Sequence, residues 1–212
     1  EPEPEPEPEP FDTSNSANWI GFMNVFENVN GSSGNYQFGS AWAPNDLIAI
    51  YNDVITLKPN TNTYNPVDPY WSNNGDGNKI MEANYYLENP GDNLGWNNKR
   101  LTFSGNVDES TLDERYKAIA FIKVLNADNN YAQVNLDSVS ITSNGPFSLT
   151  LDVPPGNFIG QVGFQMTGLN ANPNDDWGNV KISGISGTVN EVVLEPEPEP
   201  EPVPQDATAI NS

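Results

Sequence analysis

Several tryptophans and tyrosines lie in polar, turn-rich stretches of the sequence, where a β-sheet core would not require them. The chain has five tryptophans and eight tyrosines. An aromatic ring can offer its face to the C–H-rich side of a sugar, while nearby amide, carboxylate or ammonium groups bind the hydroxyls. The candidate sugar-binding residues chosen on this pattern are Tyr70, Trp71, Asp76, Asn78, Lys79, Trp96 and Trp177.

Trp71 is the first candidate platform, because it follows Tyr70 at the mouth of an Asn-, Gly- and Asp-rich loop at 72–78. The alternative for every one of these rings is packing inside the domain, since aromatic residues dominate protein cores. Trp19 and Trp42 are flanked by strand-like sequence and are expected in the core.

Residues 170–176 place side-chain oxygens at alternate positions and end in two carboxylates just before a predicted strand. Oxygen ligands on a flexible loop suit calcium, whereas an Asx-rich turn needs no metal. The first and last strands of a jelly roll are often neighbours, so an early glutamate could complete the site. The candidate calcium ligands are Glu27, Asn172, Asp175 and Asp176.

The composition excludes several kinds of chemistry. The chain contains no cysteine and no histidine, which rules out Cys- or His-based zinc sites, Cys nucleophiles and Ser-His-Asp triads. Eight Lys and Arg against a formal net charge of -21 cannot form a basic stripe, so neither nucleic acid nor a membrane is expected as a partner.

An enzyme would need a paired acid and base in a cleft. Asp68, Asp76, Glu82 and Glu88 could be arranged as glycosidase carboxylates on paper, but no local motif selects two of them. The sequence therefore predicts no catalytic residues and no enzymatic activity.

Short runs of alternating polar and apolar residues separated by Asn-Gly and Pro-Gly turns predict an all-β fold. The clearest strand is 147–153, and 161–167 and 101–104 repeat its pattern. Residues 117–125 are apolar on both faces and predict a central strand. Many short strands at this spacing predict a β-sandwich of the jelly-roll type.

Glu-Pro repeats flank the part of the chain that can fold. Residues 1–10 and 195–212 are predicted to be disordered linkers, because Pro cannot join a ladder and repeated glutamates repel each other. Residues 11–194 are predicted to form one monomeric domain. Linkers at both ends indicate covalent neighbours, either catalytic or other modules, in a longer protein.

The sequence strings resemble a domain that recurs in exported bacterial proteins, including polysaccharide-degrading enzymes. These strings are WIGFMNVFE at 19–27, FGSAW at 38–42, DPYW at 68–71, GNKIM at 77–81 and GNV at 178–180. More loosely, the early Phe26-Glu27 and the late Asp175-Asp176 resemble the pattern of calcium-carrying jelly-roll carbohydrate-binding modules. That resemblance implies Glu27 and Asp176 as structural calcium ligands and a secreted or cell-surface location. Glu-Pro spacers resemble those of marine polysaccharide-degrading enzymes.

These observations together predict a non-catalytic carbohydrate-binding module that holds a parent enzyme on a polysaccharide. A β-glucan such as laminarin is the first expected ligand, with agarose-type galactan, mannan and alginate as alternatives. The competing hypotheses are a structural spacer or adhesion domain, whose aromatic residues would all be buried, and a small glycoside hydrolase or lyase.

Overall fold

The computed structural model describes residues 7–47, 49–52, 54–88 and 95–192. The described strands are β1 Glu9–Phe11, β2 Ile20–Val29, β3 Ser32–Trp42, β4 Ala49–Asn52, β5 Val54–Leu57, β6 Ser72–Asn73, β7 Asp76–Gly77, β8 Lys79–Glu88, β9 Lys99–Ser110, β10 Lys117–Asn126, β11 Ala132–Ser140, β12 Gly145–Val153, β13 Phe158–Leu169 and β14 Val180–Glu191. One short α-helix, α1, spans Pro44–Leu47, and 3-10 turns span Ser16–Asn18 and Ala127–Asn129. None of the described helices is long and apolar enough to cross a membrane.

Two six-stranded sheets contain most of these strands. The first sheet has the order β12-β9-β14-β5-β4, with β1 also pairing β14, and the second has the order β11-β10-β13-β8-β2-β3. From β8 to β14 successive strands alternate between the two sheets, except that β10 and β11 form a hairpin within the second sheet. This produces the four-stranded sets β5-β14-β9-β12 and β8-β13-β10-β11, which are the two halves of a jelly roll. The predicted all-β sandwich of the jelly-roll type is confirmed.

The core lies between the sheets and follows the alternation seen in the sequence. Leu149 on β12 and Phe164 on β13 point inwards and are 4% and 0% exposed. Trp19, 4% exposed, also lies in this core, and Trp42 is half-buried against it, as predicted. Strand β10 is apolar on both faces, since Ile122 and Phe121 point in opposite directions and are both 0% exposed.

The first Glu-Pro repeat does not end where the sequence suggested. Glu9 and Pro10 belong to β1, where they pair with Val189 and Thr188 of β14. The predicted linker boundary at residue 10 is therefore wrong. Pro10 is tolerated there because a proline lacking an N–H can lie on a short edge strand. Residues 1–6 and 193–212 lie outside the described part of the chain, so the prediction of disordered linkers stands only as a prediction.

Phe11 anchors β1 to the domain. Its ring lies 4.9 Å from the ring of Trp96, measured between centroids. It also covers Gly187, where an added Cβ would lie 1.9 Å from the Phe11 ring. Strand β1 is therefore attached by a side chain as well as by its ladder.

We expect Phe11→Ala to lower the free energy of unfolding by about 2 kcal/mol, less than the loss at a fully buried phenylalanine because the ring is only partly covered. Urea denaturation measures the change. Glu9→Ala, which removes an exposed side chain from the same strand, should leave the midpoint nearly unchanged. Equal midpoints for Phe11→Ala and the wild type would show that β1 contributes nothing to stability.

Candidate functional site

The first candidate platform, Trp71, helps to close one end of the sandwich. It is partly buried against the core. Its ring meets Phe38 edge-on at 6.3 Å and Tyr70 edge-on at 4.9 Å. Tyr70 is 37% exposed, and the Lys79 ammonium lies 4.1 Å from the centroid of its ring. Tyr70 is therefore the more accessible of the two rings.

The polar residues predicted beside these rings have mainly structural contacts. The Asn78 side-chain amide donates to the carbonyl oxygen of Pro69 at 2.8 Å. Lys79 is 8% exposed and donates to the carbonyl oxygen of Asn78 at 3.3 Å. Asp76 lies on the short strand β7 and is exposed. Of the three, Asp76 is the residue presented most openly to a ligand.

A buried asparagine, Asn170, holds this loop in place. It is 0% exposed, and its Oδ1 accepts from the backbone N–H groups of Asn78 and Lys79, both at 3.0 Å. Its Nδ2 donates to the carbonyl oxygen of Trp71 at 2.8 Å. A Cβ at Gly77 would lie 1.8 Å from the Asn170 carbonyl oxygen, so the close approach requires glycine there.

The prediction of Trp96 as a sugar platform is wrong. Trp96 is 1% exposed and packs against Phe11. Gly160 makes room for it, since a Cβ at that position would lie 2.9 Å from Cε3 of the indole. The polar residues that follow Trp96 in the sequence belong to a turn at the surface, whereas the ring itself fills the end of the core.

Trp177 is half-buried and has contacts on several sides. Its indole N–H donates to the carbonyl oxygen of Asn172 at 2.7 Å. The Arg115 guanidinium lies 4.3 Å from the ring centroid, and Tyr116 meets the ring edge-on at 5.6 Å. Trp177 also lines a cavity of about 320 Å³ together with Asp175, Asp176 and other polar residues. Arg115 thus occupies a ring surface that a sugar would need.

The proposed calcium ligands lie on strand β2 and on the loop that joins β13 to β14. Glu27 is on β2 in the second sheet, and its carboxylate accepts from the Asn35 side chain at 2.9 Å. Asp175 and Asp176 precede β14, which belongs to the first sheet. The strand that pairs with β14 at the start of the chain is β1, not β2. The reason given for adding Glu27 to the loop is therefore incorrect.

The loop at 170–177 forms turns stabilised by its own side chains. Asp176 accepts from the backbone N–H of Gly178 at 3.0 Å, and Asn172 accepts from that of Asn174 at 3.1 Å. Both are Asx turns, which form without a metal. Within the described ranges, no three His, Cys, Asp or Glu side chains stand close enough together to hold a metal ion. Calcium binding stays a prediction from the sequence.

A different surface emerges from the strand register of the second sheet. We call this surface, which is the outward-facing side of four strands, the trough. On β2 and β8 it consists of the even-numbered residues 20–26 and 80–88. On β13 and β10 it consists of the odd-numbered residues 159–169 and 117–125. The register places Phe22 beside Asn84, Asn84 beside Gln165 and Gln165 beside Ile119. Each row of the trough therefore crosses four strands.

Side chains in the centre of the trough are buried although they point away from the other sheet. The exposed fractions are 4% for Asn84, 8% for Tyr86, 7% for Gln161 and 0% for Phe121. At the edge of the same sheet, Tyr36 on β3 is 57% exposed. The outward side chains are therefore covered by their neighbours in the centre of the sheet and exposed at its edge.

The outer face of the first sheet provides the contrast. Its outward residues include Thr102 and Ser104 on β9 and Ser148 and Thr150 on β12, none of which is buried. These short hydroxyl side chains are in contact with solvent. The two outer faces of the sandwich therefore differ, since the trough buries the amide residues Asn84 and Gln161 whereas these four hydroxyl residues are not buried.

Cross-strand hydrogen bonds fix the polar side chains of the trough. The three bonds run from Asn24 to Glu82 (2.9 Å), from Gln165 to Asn84 (2.9 Å) and from Gln161 to Glu88 (2.6 Å), with the amide donating each time. Each bond uses only part of the capacity of an amide or carboxylate, since an amide can form up to four hydrogen bonds and a carboxylate can accept about four. The Asn84 Nδ2 also donates to the carbonyl oxygens of Phe22 and Glu82, so the groups left to bind hydroxyls are mainly those of Gln161, Gln165 and the two glutamates.

Aromatic rings lie beside this polar network. Tyr86 and Phe121 are the cross-strand neighbours of Gly163, where a Cβ would lie 2.7 Å from the Cβ of Tyr86. Burial, with a smaller contribution from Glu88, raises the pKa of Tyr86 to about 12. The Tyr86 hydroxyl therefore remains a hydrogen-bond donor at neutral pH. Phe22 is only half-buried and offers more of its ring surface.

Sequence reasoning missed the trough because alternation alone assigns Gln161, Gln165 and Thr167 to a solvated face. The residue types at the outward positions could have predicted the trough. Amides and carboxylates recur at the outward positions of β8 and β13, together with the aromatic residues Phe22 and Tyr86. Solvated faces need no aromatic residues.

The two glutamates of the trough cannot act as a glycosidase pair. Glu82 and Glu88 lie on the same strand, six positions apart. At about 3.3 Å per residue their Cα atoms are separated by roughly 20 Å. Retaining and inverting glycosidases place their two carboxyl groups within about 5–9.5 Å of each other.

Comparisons with known proteins return only distant structural similarity. No protein-family model and no curated protein matches the chain. The CBM22-1 xylan-binding domain of Xyn10C from Paenibacillus barcinonensis is 10% identical, with a TM-score of 0.32, over 55% of this chain and 76% of that domain.

Two further solved structures are similar to the same extent. The CBM22-1-GH10 modules of endo-1,4-β-D-xylanase 10B from Clostridium thermocellum, complexed with xylohexaose, are 9% identical with a TM-score of 0.30, over 68% of this chain and 26% of that one. The Stig cyclase Fisc from Fischerella sp. TAU is 11% identical with a TM-score of 0.31, over 84% of this chain and 88% of that one. TM-scores near 0.3 are too low to transfer a function to this chain.

We expect Asn170→Ala to lower the free energy of unfolding by about 2–4 kcal/mol, because it leaves two backbone N–H groups and one carbonyl without their partner in a buried place. Guanidinium denaturation measures the loss. Asn174→Ala, an exposed change in the following loop, is the matched control and should have little effect. A similar small effect for both variants would contradict the role of Asn170 as the anchor of the loop.

The calcium prediction is tested by thermal melting with and without chelator. If the loop at 170–176 binds calcium, chelator lowers the melting temperature and added calcium restores it. Because β2 does not pair with β14 and the Glu27 carboxylate already accepts from Asn35, Glu27→Ala should leave that response intact, whereas Asp175→Ala with Asp176→Ala should remove it. A wild type that melts identically in chelator and in calcium contradicts the metal site altogether.

Proposed function

We propose that this domain is a non-catalytic carbohydrate-binding module that binds a polysaccharide chain in the trough. The observation that carries the proposal is the row of hydrogen-bonded amides and carboxylates, partly buried and next to aromatic rings, on the outer face of the second sheet. The outer face of the first sheet differs, since the middle of β9 and β12 carries short hydroxyl side chains such as Thr102 and Thr150 and none of these is buried.

Sugars match the chemistry of the trough. A pyranose has hydroxyls that both donate and accept, and the amides of Gln161 and Gln165 can do the same at fixed positions. Its C–H-rich face can pack on a ring such as Phe22. Affinity should be modest, because the sugar hydroxyls already bond well to water.

The charges of the trough nearly cancel. Glu82 and Glu88 are balanced by Lys117 and Lys123, so the trough has no net charge. A densely charged polymer is a poor fit for it. Laminarin remains the first expected ligand from the sequence, and the balance of charges also accommodates mannan or an agarose-type galactan.

The loop around Tyr70 and Asp76 is the second candidate place for a sugar. Its support is the 37% exposure of Tyr70 next to an exposed carboxylate. It offers fewer fixed polar groups than the trough, because Asn78 and Lys79 are engaged within the loop.

The sequence also supports a proposal about the longer protein to which this module belongs. The Glu-Pro repeats and the acidic charge fit a module tethered to a parent polysaccharide-degrading enzyme that is secreted or displayed at a cell surface. The module would raise the local concentration of substrate without chemistry of its own. A structural spacer or adhesion domain is the rival function, and it predicts no sugar binding.

We expect Phe22→Ala to reduce polysaccharide affinity by about tenfold to a hundredfold, because a stacked ring contributes about 1–3 kcal/mol. Affinity electrophoresis through laminarin, xylan, mannan, agarose and alginate gels identifies the ligand, and calorimetric titration measures the loss. Thr150→Ala, on the outer face of the first sheet, should bind like the wild type.

Two outcomes would contradict this assignment in different ways. Normal binding by Phe22→Ala together with lost binding by Tyr70→Ala would move the site to the loop. Failure of the wild type to bind any of these polymers would favour the spacer or adhesion function.

A further inference from the structure

Lys123 is a cation on the floor of the trough without an anionic partner. It lies on β10 beside Gln161 and Leu136, neither of which is charged. Its ammonium lies 4.6 Å from the centroid of the Phe121 ring, a residue that is 0% exposed. The Lys123 side chain thus lies along the sheet towards the centre of the trough.

Four of the seven other cations among the described residues form ion pairs, whereas Lys58, Lys79 and Lys117 form none. The ion pairs join Lys99 to Glu191, Arg100 to Asp152, Arg115 to Asp113 and Lys181 to Glu109. These pairs lie at the surface of the molecule. Lys123 is partly buried in the trough, and no carboxylate among the described residues lies within ion-pair distance of it.

The carboxylates that face Lys123 already have partners. Glu82 accepts from Asn24, and Glu88 accepts from Gln161. Burial lowers the pKa of Lys123, and the attraction of Glu82 only partly opposes this effect. Removing water from an ammonium without supplying an anion costs free energy. A bound anion would offset this desolvation cost.

We infer that Lys123 binds an anionic substituent of the polysaccharide, either a uronate carboxylate or a sulfate ester. This inference rests on the proposed function, because it assumes that the trough is the sugar site. An ammonium next to a negatively charged oxygen forms a charge-assisted hydrogen bond, which is stronger than one to a neutral hydroxyl.

The surroundings of Lys123 limit how densely the ligand is charged. Glu88 lies in the same row as Lys123, two strands away, which is roughly 10 Å at the usual spacing of strands, and Glu82 lies further along β8 in the row of Lys117. They would repel a second anion in the trough. The whole chain, with its formal net charge of -21, also repels polyanions. The ligand is therefore a largely neutral chain with a single charged sugar in the trough, rather than a polyuronate.

The test compares polymers that differ only in their charge. Glucuronoxylan and its carboxyl-reduced form represent the uronate source, carrageenan and its desulfated form represent the sulfate source, and alginate represents a dense polyuronate. Calorimetric titration gives the affinity of the wild type, Lys123→Met and Lys123→Gln. Lys58→Met is the control, because Lys58 is an exposed cation that lies outside the trough.

We expect the wild type to bind one charged polymer about tenfold more tightly than its neutralised form, and more tightly than alginate. Both Lys123 variants should lose this preference while still binding the neutral form, and Lys58→Met should keep it. The preference should fall as salt is raised, because ion pairing is screened.

Each remaining outcome overturns the inference. Equal binding of charged and neutralised polymers by the wild type shows that Lys123 selects no anion, and the proposed function then stands without it. Equal loss of both forms in the Lys123 variants, with unchanged melting, makes Lys123 a donor to hydroxyls. Absence of binding to every polymer removes the proposed function together with the inference.

Discussion

The register of β8 between β2 and β13 is the constraint on which the candidate site depends. Side chains in a strand alternate between two faces, so a slip of one residue would exchange the faces. In the observed register Met81 and Tyr85 enter the core, while Asn84 and Tyr86 enter the trough. A slipped strand would bury amides between the sheets without partners. The same burial that stabilises the core thereby fixes the position of every polar group in the trough.

The polar groups of the trough satisfy two demands at once. Buried amides and carboxylates need hydrogen bonds, and the cross-strand bonds from Gln165 to Asn84 and from Gln161 to Glu88 supply them within the protein. The same bonds hold these side chains in one orientation before any ligand arrives, which lowers the entropy lost on binding. Lys123 is the exception, because its environment removes water from the ammonium without providing an anion.

The ends of the sandwich are closed by aromatic side chains that meet glycines. Trp96 packs above Gly160 and beneath Phe11, and the Phe11 ring in turn covers Gly187. At the other end, Asn170 ties the loop carrying Trp71 to the start of β8. Rings that a sequence places in polar surroundings are used here to exclude water from the core.

The sequence by itself determined the fold class, since alternation and turn residues are local properties that predict strands. It also excluded chemistry based on Cys and His, because the chain contains neither residue. It also placed Trp19 in the core correctly. Only the tertiary structure decided that Trp96 is buried, that β1 rather than the strand of Glu27 pairs with β14, and that Asn84 and Tyr86 share a trough. Burial of a ring and proximity of two side chains depend on strand order and on contacts between residues far apart in the chain. Local sequence patterns do not specify ring burial or the proximity of distant side chains. They do specify which face of a strand is apolar.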